Sequence, residues 1–389
     1  MVFVGGFLLA VAPILAGEAL PGQAAPELDA LFQRTNGWIG ADAAYSIPLS
    51  TNTTLWLFGD TFIGEIQNGR RTNAVMINNT LGLQRGTNRP EFFHGTTRDG
   101  KPEAFFKPKD GRGYFWPMHG VRTSDGLWLF LHQIVNVKEG GPFGFKAIGC
   151  WLAHVPNPDD PPDRWKVSQV KVPFTEIAPD GALVFGGGVM HDGPWVYFGG
   201  TDSRPETKRR FGHGGLVLAR APASRVGDLK QWRFLANSKW QKDFKKVTPA
   251  CVAEAATGRA AQSNTMARRR PVFADVASEF SLSYLPGAKK YAAVYMAGGI
   301  FGTINVRFAP APEGPWSEPR PVFRCPELDW PAKAFCYSAK AHPELAASPD
   351  ELVITYAANS WDFGKLFSEP RLYWPRFVRV TISGASNLP

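Results

Sequence analysis

The sequence predicts an all-β fold, a five-bladed β-propeller, from three observations. The 389 residues include 40 glycines and 33 prolines, yet 44% of them are hydrophobic. Abundant turn formers beside ample core material suit many short strands. Few stretches repeat apolar residues every 3.6 positions; only residues 26–34 and 222–231 read as short helices, and both read equally well as loops. Finally, one strand-pair pattern recurs five times. It is followed in most copies by a further strand and a Pro/Trp-rich outer segment.

The first copy runs Asp42-Ala-Ala-Tyr-Ser-Ile-Pro-Leu49, a polar Ser50-Thr-Asn-Thr53, then Thr54-Leu-Trp-Leu-Phe-Gly-Asp60. Apolar runs flanking a short polar stretch read as a hairpin. Leu49 opposite Thr54 would set Ala43 opposite Asp60 and bring both carboxylates to one mouth. The second copy pairs Phe115–Val121 with Leu127–His132, and the third pairs Leu183–His191 with Trp195–Asp202. The fourth pairs Ser278–Tyr284 with Tyr291–Met296, and the fifth joins a strand from Phe335 to Leu352–Tyr356. Copies start roughly 60 to 90 residues apart, longer than ordinary propeller repeats, so large insertions are expected. A β-sandwich with irregular repeats is the competing architecture. Residues 30–385 are expected to close as one domain.

In a propeller the innermost strands begin around one end of the central axis. Here those positions carry Asp42, Trp116, Gly187 or Val189, Glu279 and Tyr337, with Lys340 and His342 following in the fifth copy. Two neighbouring carboxylates are what glycosidic-bond cleavage requires: one protonates the leaving oxygen, the other acts as base or nucleophile. Asp42, Asp60 and Glu279 are therefore the candidate catalytic residues. Trp116, His119, His132, Asn78, Asn79, Tyr337, Lys340 and His342 are the candidate substrate-binding residues. Each has a plainer reading as a core aromatic, a satisfied histidine or a turn former.

The net charge of +9 is spread over short clusters, Lys208-Arg209-Arg210, Lys245-Lys246 and Arg268-Arg269-Arg270. No nucleic-acid motif accompanies them, so a solvated surface is expected rather than a nucleic-acid partner. Residues 2–17 form an apolar run followed by small residues, without a basic start. The expectation is a signal peptide or short anchor over residues 1–25 and a secreted, periplasmic or cell-surface monomer, with no other membrane segment. The four cysteines show no metal-ligand spacing. Cys325 and Cys336 are a local disulfide candidate, or free buried thiols. No cofactor or metal is expected.

The strings Gly37-Trp-Ile-Gly-Ala-Asp42-Ala-Ala-Tyr-Ser-Ile-Pro-Leu and Leu55-Trp-Leu-Phe-Gly-Asp60-Thr-Phe-Ile-Gly64 resemble a bacterial propeller family that includes endo-D-arabinanases, glycoside hydrolase family 183. Arg71-Thr-Asn-Ala-Val-Met-Ile-Asn-Asn79, Trp116-Pro117 and Ser278-Glu-Phe-Ser-Leu-Ser-Tyr284 extend the resemblance. It implies five blades, polysaccharide or oligosaccharide as partner, and an essential aspartate pair at Asp42 and Asp60; Glu279 lies within a matched motif. An exported hydrolase of furanosyl polysaccharides, D-arabinan foremost, is the first expectation. A non-catalytic sugar-binding propeller is the second. A lyase or phosphate-ester enzyme has no distinct residue signature.

Overall fold

The computed structural model describes residues 20–138, 144–179, 181–211, 214–253, 272–297 and 302–382. The apolar run at 2–17 and the Arg268–Arg270 cluster lie outside them. Among the described residues no helix is long and apolar enough to cross a membrane.

The described chain opens with β1 (Gln23–Ala24) and α1 (Pro26–Phe32), then β2 (Asn36–Ala41), β3 (Tyr45–Ser50), β4 (Thr53–Phe58), β5 (Thr61–Gln67), β6 (Arg70–Ile77), β7 (Thr80–Arg85) and β8 (Glu91–Phe93). Strands β3-β4-β7-β8 make the first sheet, and β2-β5-β6 form a separate three-stranded sheet inserted into it. A short pair, β9 (Gly95–Thr96) and β10 (Pro102–Glu103), precedes the second sheet of β11 (Tyr114–Thr123), β12 (Gly126–Asn136), β13 (Phe145–Val155) and β14 (Ser168–Lys171). The third sheet has six strands, β15 (Glu176–Ala178), β16 (Gly181–Asp192), β17 (Trp195–Asp202), β18 (Gly215–Pro222), β19 (Arg233–Ala236) and β20 (Lys239–Gln241). The fourth comprises β21 (Phe280–Leu285), β22 (Lys290–Met296), β23 (Thr303–Ala309) and β24 (Arg320–Arg324). The last holds β25 (Ala334–Ala341), β26 (Glu351–Ser360) and β27 (Pro375–Thr381), completed by β1, whose Gln23 and Ala24 pair with Arg379 and Val378.

The first long strand of each sheet touches the next. His119 of β11 stacks on Tyr45 of β3 and bonds the Ser46 carbonyl at 3.1 Å. The Val189 amide of β16 donates to His119 Nδ1 at 2.9 Å. β16 meets β21, and Ser281 of β21 accepts the Ala341 amide of β25 at 2.7 Å. His342, just after β25, returns to Ser46 of β3 at 2.5 Å. Antiparallel sheets radiating from such a ring are the architecture of a β-propeller. Because β1 finishes the last sheet, the two ends of the described chain are tied and the ring is closed.

Burial on both faces explains the unbroken apolar strings. Alternate residues of a strand point to opposite faces. In β4, Leu55 and Leu57 pack in the core shared with the second sheet, whereas Trp56 and Phe58 pack in the core shared with the last. All four are fully buried, each contributing about 1.5–3 kcal/mol. A third core of Tyr197, Leu216, Leu282 and Trp316 joins the third and fourth sheets. The helix expected over 26–34 forms as α1; the stretch 222–231 instead makes two short 3-10 turns.

Candidate active site

The hairpin register differs by one residue from the sequence expectation. Pro48, not Leu49, pairs with Thr54, and a bulge at Leu49 lets Ser50 pair with Thr53. The slip shifts the mouth so that Asp60 faces Asp42 rather than Ala43. The Asp42 amide donates to the Asp60 carbonyl at 3.2 Å, and the Gly59 amide donates to the Asp42 carbonyl at 3.3 Å. A side chain at Gly59 would place its Cβ 2.4 Å from Asp42 Oδ1, so only glycine lets the carboxylate lie there.

Backbone strain gathers at the same point. Ala43 and Ala44 have φ of 68° and 55°, Ser338 66° and Tyr373 68°. For L-residues this left-handed region is unfavourable by roughly 1–2 kcal/mol each. Such conformations persist where surrounding contacts over-determine them, commonly at functional sites.

Asp42 Oδ2 accepts two phenols, Tyr337 at 2.7 Å and Tyr373 at 2.9 Å. Asp60 Oδ1 accepts the Trp116 indole N–H at 2.9 Å and the Asn78 amide at 3.3 Å. Both side chains keep partial exposure at the mouth. Burial pushes Asp42 up to about 8, with repulsion from Asp60 and Glu279 adding to it and the two tyrosines opposing. Burial also raises Asp60, to about 6, against the donors Trp116 and Asn78. Both carboxyls thus lie above the ordinary aspartate range, the direction that lets one member of a pair hold its proton near neutral pH.

Glu279 stands just before β21, accepting Ser338 Oγ at 2.6 Å and Lys340 Nζ at 3.3 Å. Lys340 is buried beneath the mouth, donating also to the carbonyls of Ala43 and Ser338, with its ammonium 4.3 Å from the centre of the Tyr45 ring. Burial lowers its pKa, and Glu279 pulls it back up. Lys340 thus lies beneath the Asp42 loop, whereas Glu279 keeps partial exposure, as Asp42 and Asp60 do.

Besides the buried Lys340, four expected substrate contacts are placed differently. His119 spends both ring nitrogens on Ser46 and Val189, and burial drives it down to about 4. His342 lies between Ser46 and Thr355 Oγ1, the latter at 2.6 Å. His132 is buried against the Phe185 carbonyl at 2.8 Å. Asn79 is fully buried and clamps residues 106 and 115 through the carbonyls of Phe106 and Phe115 and the Phe106 amide. These groups satisfy the interior of the ring. Asn78, Trp116, Tyr337, Asp42 and Asp60 are brought together by direct hydrogen bonds.

Two residues at the site escaped the sequence reading. Tyr373 precedes β27 and belongs to no hairpin. Arg71 of β6 is buried and donates to the carbonyls of Ile39 (3.1 Å), Leu366, Pro370 (3.4 Å) and Leu372 (2.8 Å). It therefore pins the strand leading into Asp42 to the segment leading into Tyr373. A Cβ at Gly40 would lie 2.8 Å from this guanidinium and 2.5 Å from the Tyr373 carbonyl.

Elsewhere, Cys325, Glu327 and Cys336 offer two thiols and a carboxylate within 4.8 Å of one another. All four cysteines are free thiols in this structure, including the pair read as a disulfide candidate. Glu327 already accepts Tyr356 at 2.8 Å and faces Arg376 at 3.6 Å.

Fold and site together define a β-propeller with a strained, paired-carboxylate mouth. Residues 26–382 match the family described as "Domain of unknown function (DUF5005)", and the chain belongs to that family. No curated protein matches it. Among solved structures, a Bacteroides ovatus protein provisionally described as a hydrolase is similar, with 17% identity over 94% of this chain and 92% of that one and a TM-score of 0.68. That likeness shows the fold. An α-L-arabinofuranosidase from Podospora anserina (10% identity, 95% and 96% covered, TM-score 0.45) and an endo-arabinase from Bacteroides thetaiotaomicron (13%, 90% and 98%, 0.41) are glycoside hydrolases by name, too distant to carry an argument.

Proposed function

We propose that the protein is a five-bladed propeller glycoside hydrolase that cuts furanosyl polysaccharide, with D-arabinan the first substrate to test. The observation that carries this reading is the facing of Asp42 and Asp60 in unlike surroundings. Asp42, the carboxyl with the higher pKa, delivers its proton to the glycosidic oxygen as the C–O bond breaks. Asp60, ionised and oriented by Trp116 and Asn78, provides the electron pair on the other side of the anomeric carbon, directly or through water. Glu279 raises the pKa of Asp42 by repulsion and holds Ser338 and Lys340 beneath it. Five sheets joined through their first strands support the blade count. The choice of arabinan rests on the motif resemblance around Asp42 and Asp60. Export and a cell-surface or periplasmic setting rest on the apolar run at residues 2–17.

The test is incubation with a panel of polysaccharides that includes arabinan and mycobacterial arabinogalactan, followed by assay of new reducing ends. Product from a furanosyl polymer is expected. Binding without product across the panel would replace this reading with the sugar-binding propeller, which the aromatic rings at the mouth also favour.

A further inference from the structure

One cluster of ligating side chains lies apart from the carboxylate mouth. Cys325, Glu327 and Cys336 bring two sulfurs and a carboxylate oxygen within 4.8 Å of one another, and all three residues are buried. Cys325 precedes the 3-10 turn Pro326–Asp329, which carries Glu327, and its amide is tied to the Gly302 carbonyl at 2.8 Å. The chain then returns so that Cys336, in β25, faces Glu327 Oε2 at 3.9 Å. Ligands split between a turn and a strand form no paired-cysteine motif, so spacing along the chain does not reveal them.

Buried thiols are often plain core residues. The buried carboxylate beside them is not, because a charge taken out of water needs partners and hydrogen bonds around it. Glu327 is 3% exposed, and among the described residues only Tyr356, at 2.8 Å, donates to its side chain at ordinary hydrogen-bond length. Arg376 is shared with Asp29 at 3.2 Å, and its Nε stands 3.6 Å from Glu327 Oε1 without a hydrogen bond.

A divalent cation held by all three residues satisfies this arrangement. Zinc takes sulfur at about 2.3 Å and carboxylate oxygen at about 2.0–2.2 Å, which separates two such ligands of a tetrahedron by about 3.6 Å. The 3.9 Å between Cys336 and Glu327 is close to that edge. Thiolates favour zinc over magnesium or calcium, which take oxygen ligands. The ion offsets two of the three negative charges on the deprotonated set, and Arg376 faces the third. The Tyr356 hydroxyl adjoins the fourth position and orients the carboxylate, as hydrogen-bonding partners of metal ligands do.

We infer that Cys325, Glu327 and Cys336 bind a zinc ion that fixes the start of β25. The consequence reaches the mouth, since Cys336 is followed by Tyr337, which donates to Asp42, and Ser338, which donates to Glu279.

The experiment dialyses the whole protein, purified under reductant without a histidine tag, against zinc chloride or a chelator. Bound metal is then measured by elemental mass spectrometry after desalting. Equimolar zinc is expected in wild type and in Cys150→Ser, a buried cysteine outside the cluster. It should be lost in the double variant Cys325→Ser, Cys336→Ser and reduced in Glu327→Gln. Zinc should raise the melting temperature of wild type and leave the double variant unmoved. Wild type that binds no zinc, or a double variant that binds as much, would overturn the site. Should the double variant not fold, cobalt-loaded wild type decides: a thiolate-to-metal charge-transfer band is expected, and its absence would overturn the sulfur ligands.

Discussion

Tyr373 lies 331 positions after Asp42 in sequence, yet its hydroxyl donates to Asp42 Oδ2 at 2.9 Å. That phenol stabilises the ionised carboxylate and so opposes the upward push of burial. Tyr373→Phe is therefore expected to raise the pKa of Asp42 and to move the alkaline limb of the kcat/KM profile to higher pH. An unmoved limb would disconnect Tyr373 from the acid.

The wild-type profile should itself be a bell. Activity needs Asp60 ionised and Asp42 protonated, so the acid limb is expected near pH 6 and the alkaline limb near pH 8, where the two groups titrate. Initial rates at low substrate between pH 4 and 10 measure it. A profile flat across this range would contradict the assignment.

Stability carries the same signature with a definite sign. Asp42 binds its proton more tightly when folded than when unfolded, where an ordinary aspartate titrates near 4. Its contribution is fully present below that value and is lost as pH rises towards about 8. Asp42→Asn removes the penalty, so its melting temperature should gain on wild type progressively between about pH 4 and 8 and keep a constant gain above that. A difference independent of pH would show that Asp42 is not destabilised as a carboxylate.

Arg71 is expected to be the most sensitive positioning residue. In Arg71→Met four carbonyls lose their donor, and each group left buried and unsatisfied is unfavourable by about 1–3 kcal/mol. Against a total stability of about 5–15 kcal/mol, a large drop in thermal midpoint should accompany loss of activity. Arg71→Lys keeps the charge but not the fork and should fall between. Thermal melts alongside kcat/KM check both variants, and a Met variant as stable as wild type would refute the role.

Much of the site was legible because its signals are local. The string from Thr54 to Asp60 alternates two buried faces, and the polar stretch before it forces a turn, so the hairpin and its acidic ends follow from spacing. Each of the strand pairs read from the sequence falls within one of the larger sheets because each carries its own turn. The bulge at Leu49 was not legible, since either register keeps apolar residues inward there. Tyr373 and Arg71 were missed because Asp42 lies 331 positions from Tyr373, and Leu366, Pro370 and Leu372 lie about as far from Arg71, so they leave no periodic trace. The histidines were read towards the mouth on strand position alone. Their actual partners, Ser46, Thr355, Val189 and the Phe185 carbonyl, become visible only once the ring closes.

The most direct measurement is the release of reducing ends by Asp42→Asn and Asp60→Asn from a polymer that wild type cleaves, each variant first shown to melt as a folded protein. Each substitution should lower kcat by at least about 10²–10⁴-fold, the range associated with a positioned acid or base. Wild-type rates in either variant would contradict the assignment of these two carboxylates to glycosidic cleavage.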